Sequence, residues 1–460
     1  MSTDRRLVRL ATTSARVIAG TAVATAAVVG TVVAIAAPWP VVASDPVSVE
    51  ALPTPSDTVL ACSGPILALG RTIEQAGALS VAAAPDVVSG GAAQVEAFTL
   101  SGDAGADTPA FRAAPQDGAR APLAAAGSAA SAAEDLAGFV ASACRPPLAE
   151  SWLVAGATTT GANDLVVLGN PGDVPATVQL SVYGAQGVST PPGGADVIVP
   201  ARGQRIVPLA GLLLGEESPA VRVVATGAPV QASLQSTLTR TLLAGGVDQA
   251  APAAQADTRV VVPGVEILTS GEGEVGSFVR LLSPGGDATA TVTVTDAAGQ
   301  TAGDPRQVPL AGGIPTALDL SGIAPGTYTV DVRADAPVVG GVWSTTGFGE
   351  GADFAWYAAA PVFDAESVVA VAPGAGARLA LVADGGQATT ATLTPSDGGS
   401  PVQIDVPGDG GVVVDAGAGV YTLSPQAPVR AAVSYTADRA LAGYPLWPAE
   451  AATAAVTVYP

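Results

Sequence analysis

The chain has no histidine and no lysine in its 460 residues, and holds two asparagines and a single methionine, the initiator. Without histidine, Ser-His-Asp and Cys-His catalysis, HExxH zinc sites and other imidazole metal centres are excluded. Without lysine there is no Schiff-base chemistry and no P-loop lysine. Aromatics make up only 4% of the chain, against Gly 55 and Pro 38, so a core has to come from Val, Ala and Leu between many turns. No GxSxG occurs. Gly271-Glu272-Gly273-Glu274-Val275-Gly276 matches GxGxxG. There, two glutamates would face a pyrophosphate, and the following Ser277–Leu282 reads as a strand stopped by Pro284, so a loop is expected. The chemistry left open is that of paired carboxylates, as in glycoside hydrolysis. Glu216, Glu217, Glu272 and Glu274 sit in Gly-rich loops, where exposed acids are expected anyway. No DxDxDG-like run marks a calcium loop. The expectation is a protein that is not an enzyme and carries no cofactor or metal.

Residues 1–16 form a basic tail, with Arg5, Arg6, Arg9 and Arg16 against Asp4. The next 21 residues, Val17 to Ala37, are uncharged and mostly Ala and Val. About 20 such residues span a bilayer, and the arginines place the start in the cytoplasm, with Trp39 at the outer interface. The alternative is a cleaved signal peptide, with small-residue sites at Ala34-Ile35-Ala36 and Val41-Val42-Ala43. The expectation is a single-pass anchor in the cytoplasmic membrane with the bulk extracytoplasmic. Val59-Leu60-Ala61-Cys62 resembles a lipoprotein box but lies far beyond the apolar run. From Pro38 onward 15 Arg face 39 acids, a net of −24, which argues against a nucleic-acid partner.

Residues 38–58, with five prolines, read as a semi-extended linker. Residues 59–150 carry strand-like pieces, a Gly/Ala/Asp/Ser stretch at 101–131 that reads as a mobile loop, and a short helix expected over 132–142. Cys62 and Cys144 bracket this region. Two cysteines in an exported chain are expected to form one disulfide, closing a loop worth about 4–5 kcal/mol on the chain-entropy model.

The remainder of the chain is repetitive. Ala290-Thr291-Val292-Thr293-Val294-Thr295-Asp296 alternates apolar and polar residues, as a half-buried strand does. Ala391-Thr392-Leu393-Thr394 repeats it 101 residues on, and Ala176-Thr177-Val178-Gln179 lies 114 residues back. Ala-Pro-Val recurs at Ala228, Ala336 and Ala427. These marks divide the chain into three β modules, 151–250, 258–366 and 367–460, differing in loop length. Gly326-Thr327-Tyr328 and Gly419-Val420-Tyr421 resemble the tyrosine corner of immunoglobulin-like sandwiches. The expected fold is all-β, an N-terminal transmembrane helix followed by tandem immunoglobulin-like β-sandwich modules. A β-propeller built from the repeats is the alternative. Trp356 and Trp447 each lie 19 residues after their module's Pro, which suits a shared core contact. With Trp343 they could otherwise form a platform for stacking sugars.

Cys144-Arg145-Pro146-Pro147, Trp152-Leu153-Val154-Ala155-Gly156 and Leu165-Val166-Val167-Leu168-Gly169-Asn170-Pro171-Gly172-Asp173 together resemble a family of uncharacterised actinobacterial envelope proteins, a domain of unknown function. The resemblance covers roughly residues 50 to 450 and rests on strand and turn grammar. It implies one N-terminal membrane segment and a β-rich exterior, and brings no catalytic residues. The expected function is that of a tethered structural or interaction protein of the cell envelope. The alternatives are an envelope-polysaccharide-binding module and a carboxylate-dependent hydrolase. Expected partners are the membrane itself and envelope proteins or polysaccharide.

Overall fold

A computed structural model describes the chain except at residues 1–3, 37–48, 52–54, 72–76, 104, 106, 270–273, 450–455 and 459–460. Trp39, most of the Pro-rich linker and Glu272 therefore lie outside the described residues. The chain forms two compact units, Met1–Pro53 with Ala455–Pro460, and a body from Thr54 to Ala454. The first unit holds a helix over Asp4–Ala36 and a short pairing of Val49–Ala51 with Val456–Val458. Within the helix, Ser14–Ile35 is long and apolar enough to cross a bilayer. The Thr21, Thr25 and Thr31 hydroxyls each donate to a carbonyl four residues earlier, so they leave no polar group unsatisfied.

The body is all β, and three repeats within it share one pairing scheme of eight strand positions. In one sheet the first strand (Glu150–Leu153, Asp257–Ile267 or Ser367–Val371) pairs with the sixth. The sixth (Ala220–Thr226, the first half of Gly326–Thr345, or Gly419–Pro425) pairs with the third. The third (Ala176–Gly184, Ala288–Asp296 or Thr389–Pro395) pairs with the fourth (Val197–Val199, Arg306–Leu310 or Val402–Val406). In the other sheet the fifth strand (Gly203–Pro208, Thr316–Asp319 or Val412–Asp415) pairs with the second. The second (Leu165–Asn170, Ser277–Leu282 or Ala377–Ala383) pairs with the seventh. The seventh (Gln231–Arg240, the second half of Gly326–Thr345, or Val429–Ala437) pairs with the closing eighth (Leu243–Ala250, Phe354–Ala358 or Ala440–Pro445). Two facing sheets in this order suit a sandwich. Among the described residues no sheet has the up-and-down order of a propeller blade.

The sequence marks fall at defined places in this scheme. The three alternating heptads are all third strands, and Val178, Leu180, Val292 and Leu393 point from them into the cores. Ala-Pro-Val is the corner where the chain passes from one sheet to the other. In the second repeat the strand runs straight through it, Ala334 pairing with Ala290 and Val339 with Leu282. Proline suits such a corner because it has no N–H to leave unpaired. The tyrosine corners form as well. Tyr328 Oη donates to the Ala324 carbonyl and Tyr421 Oη to that of Gly417, each at 2.8 Å. In the first repeat the inward position at this point, pairing with Leu153 and Val182, is Val221.

The region ahead of the repeats differs from expectation. No helix covers 132–142 and 101–131 is not a loop. Asp107–Ala113, Ala124–Ala132 and Ala137–Ala143 are strands. They complete a fourth, shorter copy of the scheme, the N-terminal unit of the body. Thr58–Ala61 pairs with Asp107–Ala113, which pairs with Glu96–Ser101, as first, sixth and third strands do. Asp86–Gly90 pairs with Ala124–Ala132, which pairs with Ala137–Ala143, as second, seventh and closing strands do. The Ala, Gly and Ser residues that read as loop or helix are small because these strands lie close to neighbouring units. Ala126 and Ala141 are fully buried in the core of the third repeat. Tertiary packing overrides the helix preference of alanine here.

The four closing strands pack in a cycle. Ala137–Ala143 lies on Leu243–Ala250, that on Phe354–Ala358, that on Ala440–Pro445, and the last on the first. Cores are shared along the way, with Trp343, Phe354 and Trp356 of the second repeat completing the core of the first. Leu441 of the third repeat likewise joins the core of the second.

Candidate functional site

At the centre of this cycle sits Asp353, fully buried at the start of its closing strand. Its carboxylate accepts the backbone N–H of Phe139 at 2.9 Å, Val247 at 3.2 Å and Leu441 at 3.1 Å. Those three amides belong to the three other closing strands, so one side chain ties all four units. Gly138 and Gly246 make room for it. A Cβ on either would crowd the carboxylate, and φ is +147° and +117° there, where L side chains are disfavoured. Beside it Asp248, also fully buried, accepts the Trp356 N–H at 2.7 Å. Burial pushes Asp353 up to about 7 and Asp248 well above its usual range, with the neighbouring Asp353 adding to the latter. Asp164 is built the same way, accepting from Ala157 and Thr237 and pushed up to about 6 by burial. Glu266 meets Arg378 at 2.6 Å and accepts from Thr327 and Ser434, joining the second and third repeats.

Two buried arginines complete the junctions. Arg280 donates to the carbonyls of Gly156, Pro219 and Glu217 in the first repeat and lies 4.6 Å from the Trp356 ring centre. Arg145 donates to Pro252 and Pro445 and stands 4.8 Å from the centre of the Trp447 ring. Burial draws both guanidinium groups down to about 9.

Cys62 and Cys144 are joined, with Cα atoms 4.0 Å apart. This is nearer than most disulfides, because Ala61 and Arg145 exchange two backbone hydrogen bonds and leave the cysteines as the adjacent non-hydrogen-bonded pair. The tryptophans separate. Trp343 and Trp356 are 8% and 4% exposed, packed against Phe278, and offer no surface for a platform. Trp447 is half-buried and lines two adjoining cavities of about 430 and 260 Å³. Nor are Trp356 and Trp447 equivalent. Register puts Gly443 where the second repeat has Trp356, because the turn into the closing strand is shorter in the third repeat. The loop acids also have structural partners. The Glu216 carboxylate accepts from Ala185 and Ser218, while Glu274 stands at the surface.

The family model described as "Family of unknown function (DUF5719)" matches residues 99–417, well over half of the chain. The chain belongs to this family. No curated protein matches it. The DUF5719 match takes in Asp164, Asp248, Asp353 and Cys144, while Cys62 and Trp447 lie outside it. Sequence reasoning missed the three aspartates. Asp353 comes after Gly349-Glu350-Gly351-Ala352 and Asp248 after Gly245-Gly246-Val247, settings that read as exposed turns. The one usable signal was an acid entering a strand directly after a Gly-rich run.

Proposed function

We propose that this DUF5719 member is a non-catalytic, membrane-tethered structural or interaction protein of an actinobacterial-type cell envelope. The observation that carries the reading is the use made of the buried acids. Strongly raised carboxylates normally mark catalytic sites. Asp248 and Asp353 have no exposure, lie outside both cavities, and are engaged with backbone amides at unit junctions. A glycosidase needs two carboxyl groups flanking its substrate, about 5–9 Å apart. The larger cavity has Asp57 alone among its acids, and the smaller has Asp257 alone. The tether rests on the apolar Ser14–Ile35 helix, for which a cleaved signal peptide is the competing reading.

The test joins fractionation to mass spectrometry of the mature N-terminus. Recovery from the membrane fraction with Val17–Ala37 intact is expected, along with an envelope defect on deletion. A mature N-terminus near Ala37 or Ser44 would replace the tether with secretion. Turnover of peptide, ester or glycan substrates by the full chain would overturn the non-catalytic reading.

A further inference from the structure

We propose that the two adjoining cavities bind an uncharged amphiphile, an alkyl or isoprenoid chain bearing a non-ionic hydroxylated head. Such a site does not depend on the scaffold reading. The cavities meet at Pro361 and Trp447, which line both. The larger one, about 430 Å³, falls in the roughly 300–1,000 Å³ range of small-molecule sites. Its walls include Leu60, Leu123, Val368 and Leu446, drawn from the N-terminal unit and the third repeat. The two ionic side chains there already have partners. Asp57 faces Arg112 at 3.6 Å and Arg120 donates to Ser56 at 3.1 Å. Such a lining suits a chain of methylene or methyl-branched groups and resists a charge.

The smaller cavity, about 260 Å³, is where a head group would lie. Arg259 and Arg430 border it, and both are neutralised from within. Arg259 binds Asp331 and Asp384, and Arg430 binds Asp384. With Asp257 also on this wall and Arg333 sharing Asp331, three carboxylates stand with three guanidinium groups, each of which already meets a carboxylate, so an anionic head finds no unpaired cation among them. Hydroxyl groups can share these paired ions without disturbing them. Trp447 sits between the lobes, fixed by Arg145, and its indole N–H is buried with no acceptor in the protein. A head-group oxygen would supply that acceptor, and the ring would give a sugar or other cyclic head an apolar surface. The floor is preformed, since Cys144 in the wall is bonded to Cys62.

The experiment uses the full chain in membrane vesicles and an alkyl glucoside carrying a diazirine on its alkyl chain, with crosslinked peptides mapped by mass spectrometry. Label is expected on peptides containing Leu60, Leu123 and Val368. Ala143→Phe, which fills the larger cavity, should reduce that label at least tenfold with the melting temperature retained. Should that variant fail to fold, Trp447→Ala is read instead and should reduce labelling several-fold. Unlabelled alkyl glucoside should compete at least tenfold better than alkyl sulfate or alkyl trimethylammonium of equal chain length. Label confined to the Ser14–Ile35 helix, or unchanged in a folded variant, would overturn the site. Equal competition by an ionic amphiphile would overturn the assignment of an uncharged head.

Discussion

The N-terminal unit shares four of the second repeat's six strand pairings and little else. The second repeat has its own core of Val, Leu and Ile, with Val262, Val265, Ile267, Leu281 and Val330 all nearly inaccessible. The N-terminal unit divides its apolar residues among small clusters, and its Ala126 and Ala141 lie in the core of another unit. One folds around its own interior. The other is held by a disulfide and by its neighbours. The difference shows that a shared topology fixes where strands pair, while the size of the inward residues decides whether a unit carries its own stability.

The largest effect should come from removing the side chain that joins the two regions. Asp353→Ala would leave the buried N–H groups of Phe139, Val247 and Leu441 without their acceptor. At about 1–3 kcal/mol for each of the three orphaned groups, a loss of about 6 kcal/mol, the middle of the summed range, is expected in denaturant unfolding. Hydrogen exchange should rise first in Ala137–Ala143 and only later in Asp257–Ile267. Simultaneous exchange in both strands would show that the N-terminal unit is no more dependent than the repeat. Asp353→Asn keeps an accepting oxygen and should lose less.

Next in size is the disulfide. Cys62→Ser with Cys144→Ser should cost about 4–5 kcal/mol, since 82 residues separate the pair and its release frees a long loop. Limited proteolysis is the sharper readout. Cuts are expected between residues 58 and 143 while the three repeats persist as a resistant fragment. Uniform digestion would mean that the repeats lean on the N-terminal unit as much as it leans on them.

The pH dependence comes from Asp353. In the folded body it keeps its proton to about pH 7, and once unfolded it titrates near the ordinary 3.8. Folding therefore takes up a proton between those values, so stability falls as pH rises through that window. Between pH 5 and 7 the loss from this group is about 2 kcal/mol, at about 1.4 kcal/mol per unit. Asp248 contributes in the same direction. Wild-type melting temperature should fall from pH 5 to 7 and Asp353→Asn should flatten the slope. An unchanged slope in the variant would remove Asp353 from the account.

Legibility in the sequence tracked the same contrast. Thr291-Val292-Thr293-Val294 reads as a strand because its two faces differ, and Tyr328 and Tyr421 announce their corners through the residues around them. The disulfide was legible by elimination, since the chain holds only Cys62 and Cys144. Ala124–Ala132 was not legible, because a strand of Ala, Gly and Ser has no alternation and its meaning lies in how closely other sheets approach. The junction aspartates were hidden for a related reason. The amides that Asp353 accepts from lie 214, 106 and 88 residues away, and no local pattern encodes such distances. Trp356 and Trp447 misled through equal spacing from a proline, which a shorter turn in the third repeat undid.

The smallest expected effect tests the repeats against one another. Tyr328 and Tyr421 make the same 2.8 Å bond to a carbonyl four residues back, but Tyr328 is 8% exposed while Tyr421 is only half-buried. Removing the hydroxyl leaves an acceptor that water can reach in one case and reaches poorly in the other. Tyr328→Phe should therefore cost about 1 kcal/mol and Tyr421→Phe about half of that. The first repeat offers the converse. Val221 holds the corresponding place, fully buried in the core with Leu153, Leu180 and Val182. Val221→Tyr would force a large ring into filled space and should destabilise rather than create a third corner. Equal losses for the two Phe variants would mean that solvent exposure does not set the worth of the corner, and a stabilising Val221→Tyr would mean that the first repeat's core leaves room the packing does not show.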